Sequence, residues 1–336
     1  MAKTNAIPKT ILHLDKHEKE ALTDAYNLAH QDVLIVEQPV LDRFSIRGAD
    51  RIDLLERLST NTFVNQTEGD VVLTALLEAN GRLIDLLEVF ILTEQLLVNT
   101  SPGTSETILS WLKRHIFFQD DIMLDKLDPW PRVFEIIGPH AEQNLKELFG
   151  ELDQLQPNRF LQNPSGILTP LNWPGLRAYR LLIENDDLAR SLLPMEPSAP
   201  TTILRAAVEA VRIEAGMPQR DHEIIPGIIP LEVGLSDAIS FSKGCYIGQE
   251  IIARMDSRGR QAAELHGVVL SEPAAPGTPL IQSGKEVGRL TSIAYSPVHA
   301  WIGLASIKTR RLDRSLDNLT IQGSSITLQE LPFSRA

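Results

Sequence analysis

Asn80 and Gly81 stand between two apolar runs, 71–77 and 83–92. A tight Asn-Gly turn joins antiparallel strands, because its backbone twist matches that of a hairpin. Other strand candidates follow the same short format: 33–36, 44–47, 96–99 and 134–137. Between them lie helical patterns. Gly48-Ala49-Asp50 opens one with Ile52, Leu55 and Leu58 on a single face, and Ile108, Leu109, Leu112 and Ile116 mark another. Gly138-Pro139 introduces a third, which runs to about Leu148. Hairpins mixed with helices give an α+β fold rather than a doubly wound parallel sheet.

Further along, Pro194, Pro197 and Pro200 punctuate a loop. The next helix, 201–215, has Leu204, Val208, Val211 and Ala215 on one side, and Gly216 and Pro218 end it. Beyond Arg260 the texture changes to β-prone runs (265–270, 287–294, 319–328) separated by Pro-Gly turns, the pattern of a small antiparallel barrel or sandwich. The expected division is a polar N-terminal extension (1–32), a region of two interleaved α+β domains (33–257) and a C-terminal β-barrel (258–336). The extension has a weak helical pattern and little core. His13 and His17 share a metal-compatible spacing there, but their charged neighbours Asp15, Lys16 and Glu18 make a solvated helix the reading.

Composition narrows the functional classes. A formal charge of -12 opposes non-specific binding of nucleic acid, which depends on Lys and Arg neutralising phosphates. The cluster of Lys308, Arg310, Arg311 and Arg314 reads as a solvated loop. No apolar run reaches the ~20 residues that span a bilayer. Residues 1–9 are polar, without the apolar stretch of a secretory signal, so the expected location is the cytoplasm. The usual phosphate-loop, dinucleotide, G-x-S-x-G and H-E-x-x-H signatures are missing. Cys245 is the one cysteine. It allows no intramolecular disulfide and no thiolate-built zinc or cluster site within one chain, so any iron–sulfur role needs a partner.

The unusual stretch is 241–260. Gly244 and Gly248 bracket Cys245, Tyr246 and Ile247, and helix-compatible residues from Gln249 to Met255 follow. The glycines indicate a tight turn or a close backbone approach before a helix. Two readings of the thiol stand side by side. At a helix N-terminus near Lys243 it would be activated; as a small buried hydrophobe it would be inert.

The octapeptide from Lys243 to Glu250, K-G-C-Y-I-G-Q-E, resembles the signature of the YgfZ-type folate-binding proteins, a branch of the glycine-cleavage T-protein superfamily. Ile46–Asp50 with Thr60-Asn61, Arg212–Pro218 with Pro230, Glu232 and Gly234, and Gly288–Pro297 extend the resemblance through most of the chain. It implies a three-domain cloverleaf around a central hole that holds tetrahydrofolate or a derivative. It also implies a role in iron–sulfur protein assembly, with assembly or client proteins as partners, and a self-contained chain of this kind would work as a monomer. Cys245 becomes the candidate reactive thiol, in a loop shaped by Lys243, Gly244, Tyr246, Gly248, Gln249 and Glu250. Arg212 aligns with a superfamily arginine near the folate tail, where a guanidinium fork suits carboxylates. The other reading pairs Arg212 with Glu209 or Glu214 on a helix surface.

Two departures separate the chain from a true T-protein. The paired aspartates of the G-G-x-x-D-D strand are Asp85 and Leu86 here. Strand alternation puts Asp85 on the face of Leu83, Leu87 and Val89, aimed either into a folate cavity or at a wet edge. The G-Y-T-G-E-x-G-x-E segment corresponds to the stretch from Trp173 to Glu184, which lacks the G-E pair, so those pterin contacts do not carry over. The expected function is therefore a tetrahydrofolate-binding accessory protein supporting iron–sulfur cluster assembly or repair. A folate-dependent aminomethyltransferase is the alternative. A sarcosine-oxidising or demethylase-like module is third, since no dinucleotide fingerprint is present.

Overall fold

A computed structural model describes residues 13–334, apart from 153–154, 165, 186–197, 260 and 314–317. Residues 1–9, Pro194, Pro197 and Arg314, which figure in the expectations above, lie outside the described residues.

The first helix, α1 (Lys16–Gln31), starts at a capping box in which Asp15 accepts from Glu18 N and the Glu18 carboxylate accepts from Asp15 N. The N-terminal segment carries more core than its composition suggests. Leu22, Ala25, Tyr26 and Ala29 are buried along one narrow stripe, and α1 packs on the later helix α5 (Thr201–Glu214). Four residues at helical spacing are enough to dock an otherwise polar helix.

Two five-stranded sheets follow, both antiparallel throughout. The first has the order β1-β7-β10-β9-β8, built from Leu34–Gln38, Arg132–Ile137, Ala178–Ile183, Gly166–Leu171 and Leu161–Asn163. The second has the order β3-β4-β5-β2-β6, from Val71–Leu77, Leu83–Ile91, Gln95–Thr100, Asp42–Arg47 and Met123–Leu127. The chain thus lays one strand in the first sheet, builds all of the second and then returns. Helices α2 (Arg51–Leu58) and α3 (Ser105–Lys113) cover the second sheet, and α4 (Ala141–Phe149) covers the first. Strands β6, β8, β9 and β10 carried no clear sequence signal. β6, for example, is largely exposed and shows no apolar alternation.

The C-terminal strands form a closed antiparallel barrel in the order β11-β14-β13-β12-β15-β16, from Ala263–Leu270, Ala300–Lys308, Lys285–Ser296, Pro279–Gln282, Leu319–Ile321 and Ser324–Gln329. Pairing of β16 with β11 closes it and leaves no free edge. The single run expected at 319–328 is in fact a hairpin, turning at Gln322 (φ 49°) and Gly323 (φ 87°). Helix α5 sits at the centre, with apolar residues buried on most of its circumference between α1, β1 and the barrel. No helix among the described residues is long and apolar enough to cross a membrane.

Candidate functional site

The signature loop is fastened to the β3–β4 hairpin. Gly248 caps the helix α6 (Gln249–Arg258) in a left-handed conformation (φ 85°). A Cβ there would lie 2.7 Å from the Glu78 carbonyl oxygen and 3.2 Å from Gly81 Cα. Gly81 (φ 76°) has the reciprocal constraint, since its Cβ would meet Ile251 at 2.8 Å. The Asn-Gly turn and the signature glycine are therefore two halves of one contact. Gly244 is different: nothing stands within 4 Å of where its Cβ would be.

Lys243 is an anchor. Its side chain is 1% exposed, and Nζ donates to the carbonyls of Ser59 (2.9 Å) and Asn61 (2.5 Å), with Glu56 3.6 Å away. Burial pushes its ammonium pKa down, with Glu56 pulling the other way. The T-N turn and the signature loop are joined again where Ser240 N donates to the Thr60 carbonyl. Tyr246 is buried with Leu77, Leu83, Leu86 and Ile252, and burial pushes its phenol up to about 12. The Gln249 side chain makes a long contact (3.4 Å) with the Gly244 carbonyl, and Glu250 pairs with Arg254 on the exposed helix face.

Cys245 is exposed, which excludes the inert, buried reading. The activating arrangement is also absent in its expected form. Helix α6 begins four residues beyond the thiol, and the Lys243 ammonium is turned inward to the two carbonyls. What the fold provides is an accessible thiol on a backbone held from both sides.

Asp85 is 4% exposed and faces protein groups. Its carboxylate accepts from Ser101 Oγ (2.6 Å), Thr104 Oγ1 (2.7 Å), the backbone N of Leu86 and Ser101, and Arg220 Nη1 at 3.4 Å. Neither the open cavity nor the wet edge is what this carboxylate meets. The strict two-residue alternation of β4 breaks just before Asp85. Leu76 pairs with Asp85 but Leu77 pairs with Leu83, so a bulge at Ile84 turns Leu83 to the opposite core from Leu87 and Val89.

Arg212 is likewise fully engaged. Nε and Nη2 bond Glu209, Nη1 bonds Glu223 (3.1 Å) and the Met217 carbonyl (2.9 Å), and Nη2 also reaches Ser292 Oγ (2.5 Å). All five guanidinium donors thus have protein acceptors, and none remains for a folate carboxylate. The pairing with Glu209 holds, but in a buried joint rather than on a surface, and Glu214 instead accepts from Tyr26 and Ser296. Burial alone would raise the Glu223 pKa; the Arg212 guanidinium and the Ser292 hydroxyl more than offset it and hold the carboxyl below its ordinary value.

Sequence reasoning missed the seam between the two sheets. Arg180 on β10 bridges Glu88 (3.5 Å) and Glu135 (3.2 Å), Asn99 donates to Glu88, and Trp130 Nε1 donates to Asn99. Arg220 reaches the same region through Asp85 and Ser101. These charges come from three strands and a loop, a juxtaposition no local pattern encodes. The one usable signal was Arg220, which follows the helix-ending Gly216 and Pro218. His13 is exposed, and His17 lies 3.6 Å from Glu20.

The comparisons with known proteins agree with this architecture. The GCVT N-terminal domain family matches residues 7–164. The chain is 29% identical over 338 residues to a chloroplastic protein of Arabidopsis thaliana, provisionally named a transferase, covering 94% of this chain and 74% of the relative. It is 27% identical to the tRNA-modifying protein YgfZ of Yersinia enterocolitica, over 86% of this chain and 89% of that one. The aminomethyltransferase of Symbiobacterium thermophilum is also 27% identical, over 76% of this chain and 73% of its own. Among solved structures, the glycine cleavage system aminomethyltransferase T of Bartonella henselae shares the fold, with a TM-score of 0.76 at 14% identity over 93% of this chain and 89% of that chain. With the signature loop seated on its hairpin and the closed barrel at the C-terminal end, the chain shares the T-protein fold and is similar in sequence to YgfZ-type proteins and aminomethyltransferases of the glycine-cleavage T-protein superfamily.

Proposed function

We propose that this protein is a tetrahydrofolate-binding accessory factor of the cytoplasm that supports assembly or repair of iron–sulfur clusters in other enzymes, working as a monomer. The observation that carries the reading is the presentation of Cys245. The thiol is exposed, while Lys243, Tyr246 and Gly248 on either side of it are buried or packed against the hairpin. A single accessible thiolate can coordinate an iron held by a partner, replacing one labile ligand with no change of oxidation state, and that partner must supply the remaining ligands.

Similarity to the T-protein superfamily supports the folate part. The two residues expected to touch folate, Arg212 and Asp85, do not fit as direct contacts, because protein groups saturate both. Both instead join protein elements: Asp85 ties β4 to Ser101 and Thr104, and Arg212 ties α5 to Glu223 and Ser292. The same observation weighs against aminomethyl transfer, since Asp85 is bound to Ser101, Thr104 and Arg220 rather than held ready for a substrate proton. The name of the Yersinia relative speaks of tRNA, but a net charge of -12 does not favour polyanion binding here.

The test has two arms. Purified protein titrated with tetrahydrofolate should show saturable binding by calorimetry, and absence of binding would leave the fold without its ligand. In a strain lacking the protein, Cys245→Ala should fold normally yet fail to restore the activity of an iron–sulfur enzyme. Full restoration would remove the thiol from the mechanism.

A further inference from the structure

A second polar site lies away from the signature loop, in a cleft of about 170 Å³ between the two five-stranded sheets. Its apolar floor is Leu97, Leu127 and Ile167, and Trp130 closes one end. Arg43, on β2, enters from the side of the second sheet. Its Nε donates to the Asp128 carbonyl (2.7 Å), and its guanidinium lies 4.0 Å from the centre of the Trp130 ring. Nη1 and Nη2 form a two-pronged bond to Glu184, at 2.5 and 3.1 Å, just past the end of β10.

The two partners of this ion pair are unequal. The Arg43 side chain is 9% exposed and held on three sides, whereas the Glu184 side chain is 47% exposed. Water compensates a half-exposed carboxylate when it leaves, but nothing compensates a buried guanidinium left without an anion. Among the described residues, three of the five Arg43 donors have protein acceptors, so the fork keeps two N–H groups in the cleft wall. A buried cation beside an apolar floor, answered by a half-exposed carboxylate, is the pattern of a binding site occupied by a stand-in.

We propose that this cleft binds a small organic carboxylate, whose carboxyl group takes the place of Glu184 on the Arg43 fork while its apolar part covers Leu97, Leu127 and Ile167. The planar fork accepts a carboxylate through two parallel hydrogen bonds and discriminates against a neutral amide. The volume is below the ~300–1,000 Å³ of pockets for drug-sized ligands, which sets the size near that of a short-chain acid. The inference does not depend on the folate reading, since Arg43 and Glu184 belong to neither the signature loop nor the Asp85 and Arg212 networks.

The experiment is a titration of the full chain with butyrate, followed by tryptophan fluorescence, with Trp130→Phe identifying the reporting ring. Butyrate should change the signal and butyramide should not. Glu184→Gln removes the internal competitor and should tighten butyrate binding about tenfold, the equivalent of ~1.4 kcal/mol. Arg43→Gln should weaken binding by at least that factor. Glu184→Gln keeps a neutral side-chain oxygen on the Arg43 fork, so a thermal melt should show a retained fold with a lowered midpoint, and this variant keeps the test sound if the Arg43 variant fails to fold. Equal binding of butyramide, or no gain in Glu184→Gln, would overturn the proposal. Saturating tetrahydrofolate separates two sources of the carboxylate: competition assigns the cleft to the glutamyl tail of folate, and unchanged butyrate binding assigns it to a free acid.

Discussion

Lys243 and Cys245 are two residues apart and do opposite things. The lysine charge is buried on two backbone carbonyls, and the thiol is in solvent. Lys243→Met removes the donor from the buried Ser59 carbonyl and from Asn61, and should destabilise the protein by about 2–3 kcal/mol, read as a lower denaturation midpoint. Cys245→Ser removes nothing that packs and should change stability by less than about 0.5 kcal/mol. In the native wild type, one thiol per chain should react with a disulfide reagent without denaturant; reaction only after unfolding would contradict the exposed placement. The family motif named both residues, yet it did not tell the anchor from the group presented, because burial is set by what the rest of the chain packs against them.

At the scale of elements, the hairpin turn and the cap of α6 meet through glycines. Gly248→Ala would force a left-handed alanine into the Glu78 carbonyl, and should cost about 1–3 kcal/mol. Gly244→Ala meets open space and should stay within about 0.5 kcal/mol. Thermal melts of the two variants decide this, and equal losses would mean that the loop is not held through Gly248. The short 3₁₀ turn Pro230–Val233 offers a pH test. Burial against the start of the barrel raises the Glu232 pKa above its ordinary 4.5. The folded state therefore binds this proton more tightly than the unfolded chain. Its contribution to stability is complete below pH 4.5 and is lost as pH rises through the folded value. Glu232→Gln should lack that loss and be the more stable protein at pH 7, as measured by denaturant unfolding across the pH range.

For the whole molecule, the decisive joint is Arg212. It ties α5 to the loop at Glu223 and to Ser292 on β13 of the barrel. Removing one member of a buried ion pair leaves a charge without its counterpart, so Arg212→Ala should cost about 3–5 kcal/mol. Arg212→Lys should recover only part of that, because one ammonium cannot reproduce five directed donors. Hydrogen exchange should then speed up first in β13 and its barrel neighbours; uniform acceleration would mean that the joint does not hold the barrel in particular. On the acid side the sign is fixed by Glu223. Its folded pKa lies below 4.5, so the stability it contributes is present above pH 4.5 and is lost as pH falls through the folded value.

Local patterns along the chain were enough for the α+β class, most of the strands with strong apolar runs, the central helix 201–214 and the place of the signature loop. Each of these is written in periodicity, turn residues or a contiguous motif, which local physics can read. Tertiary structure alone decided which strand joins which sheet, since β1 and β2 are neighbours in sequence yet pair in different sheets. It also decided that a bulge at Ile84 redirects Leu83, that Asp85 and Arg212 answer to protein rather than solvent, and that Arg43 meets Glu184 across 141 residues. A charged side chain takes its role from the partners and the water left around it once the chain has closed, and neither is encoded in its neighbours along the sequence.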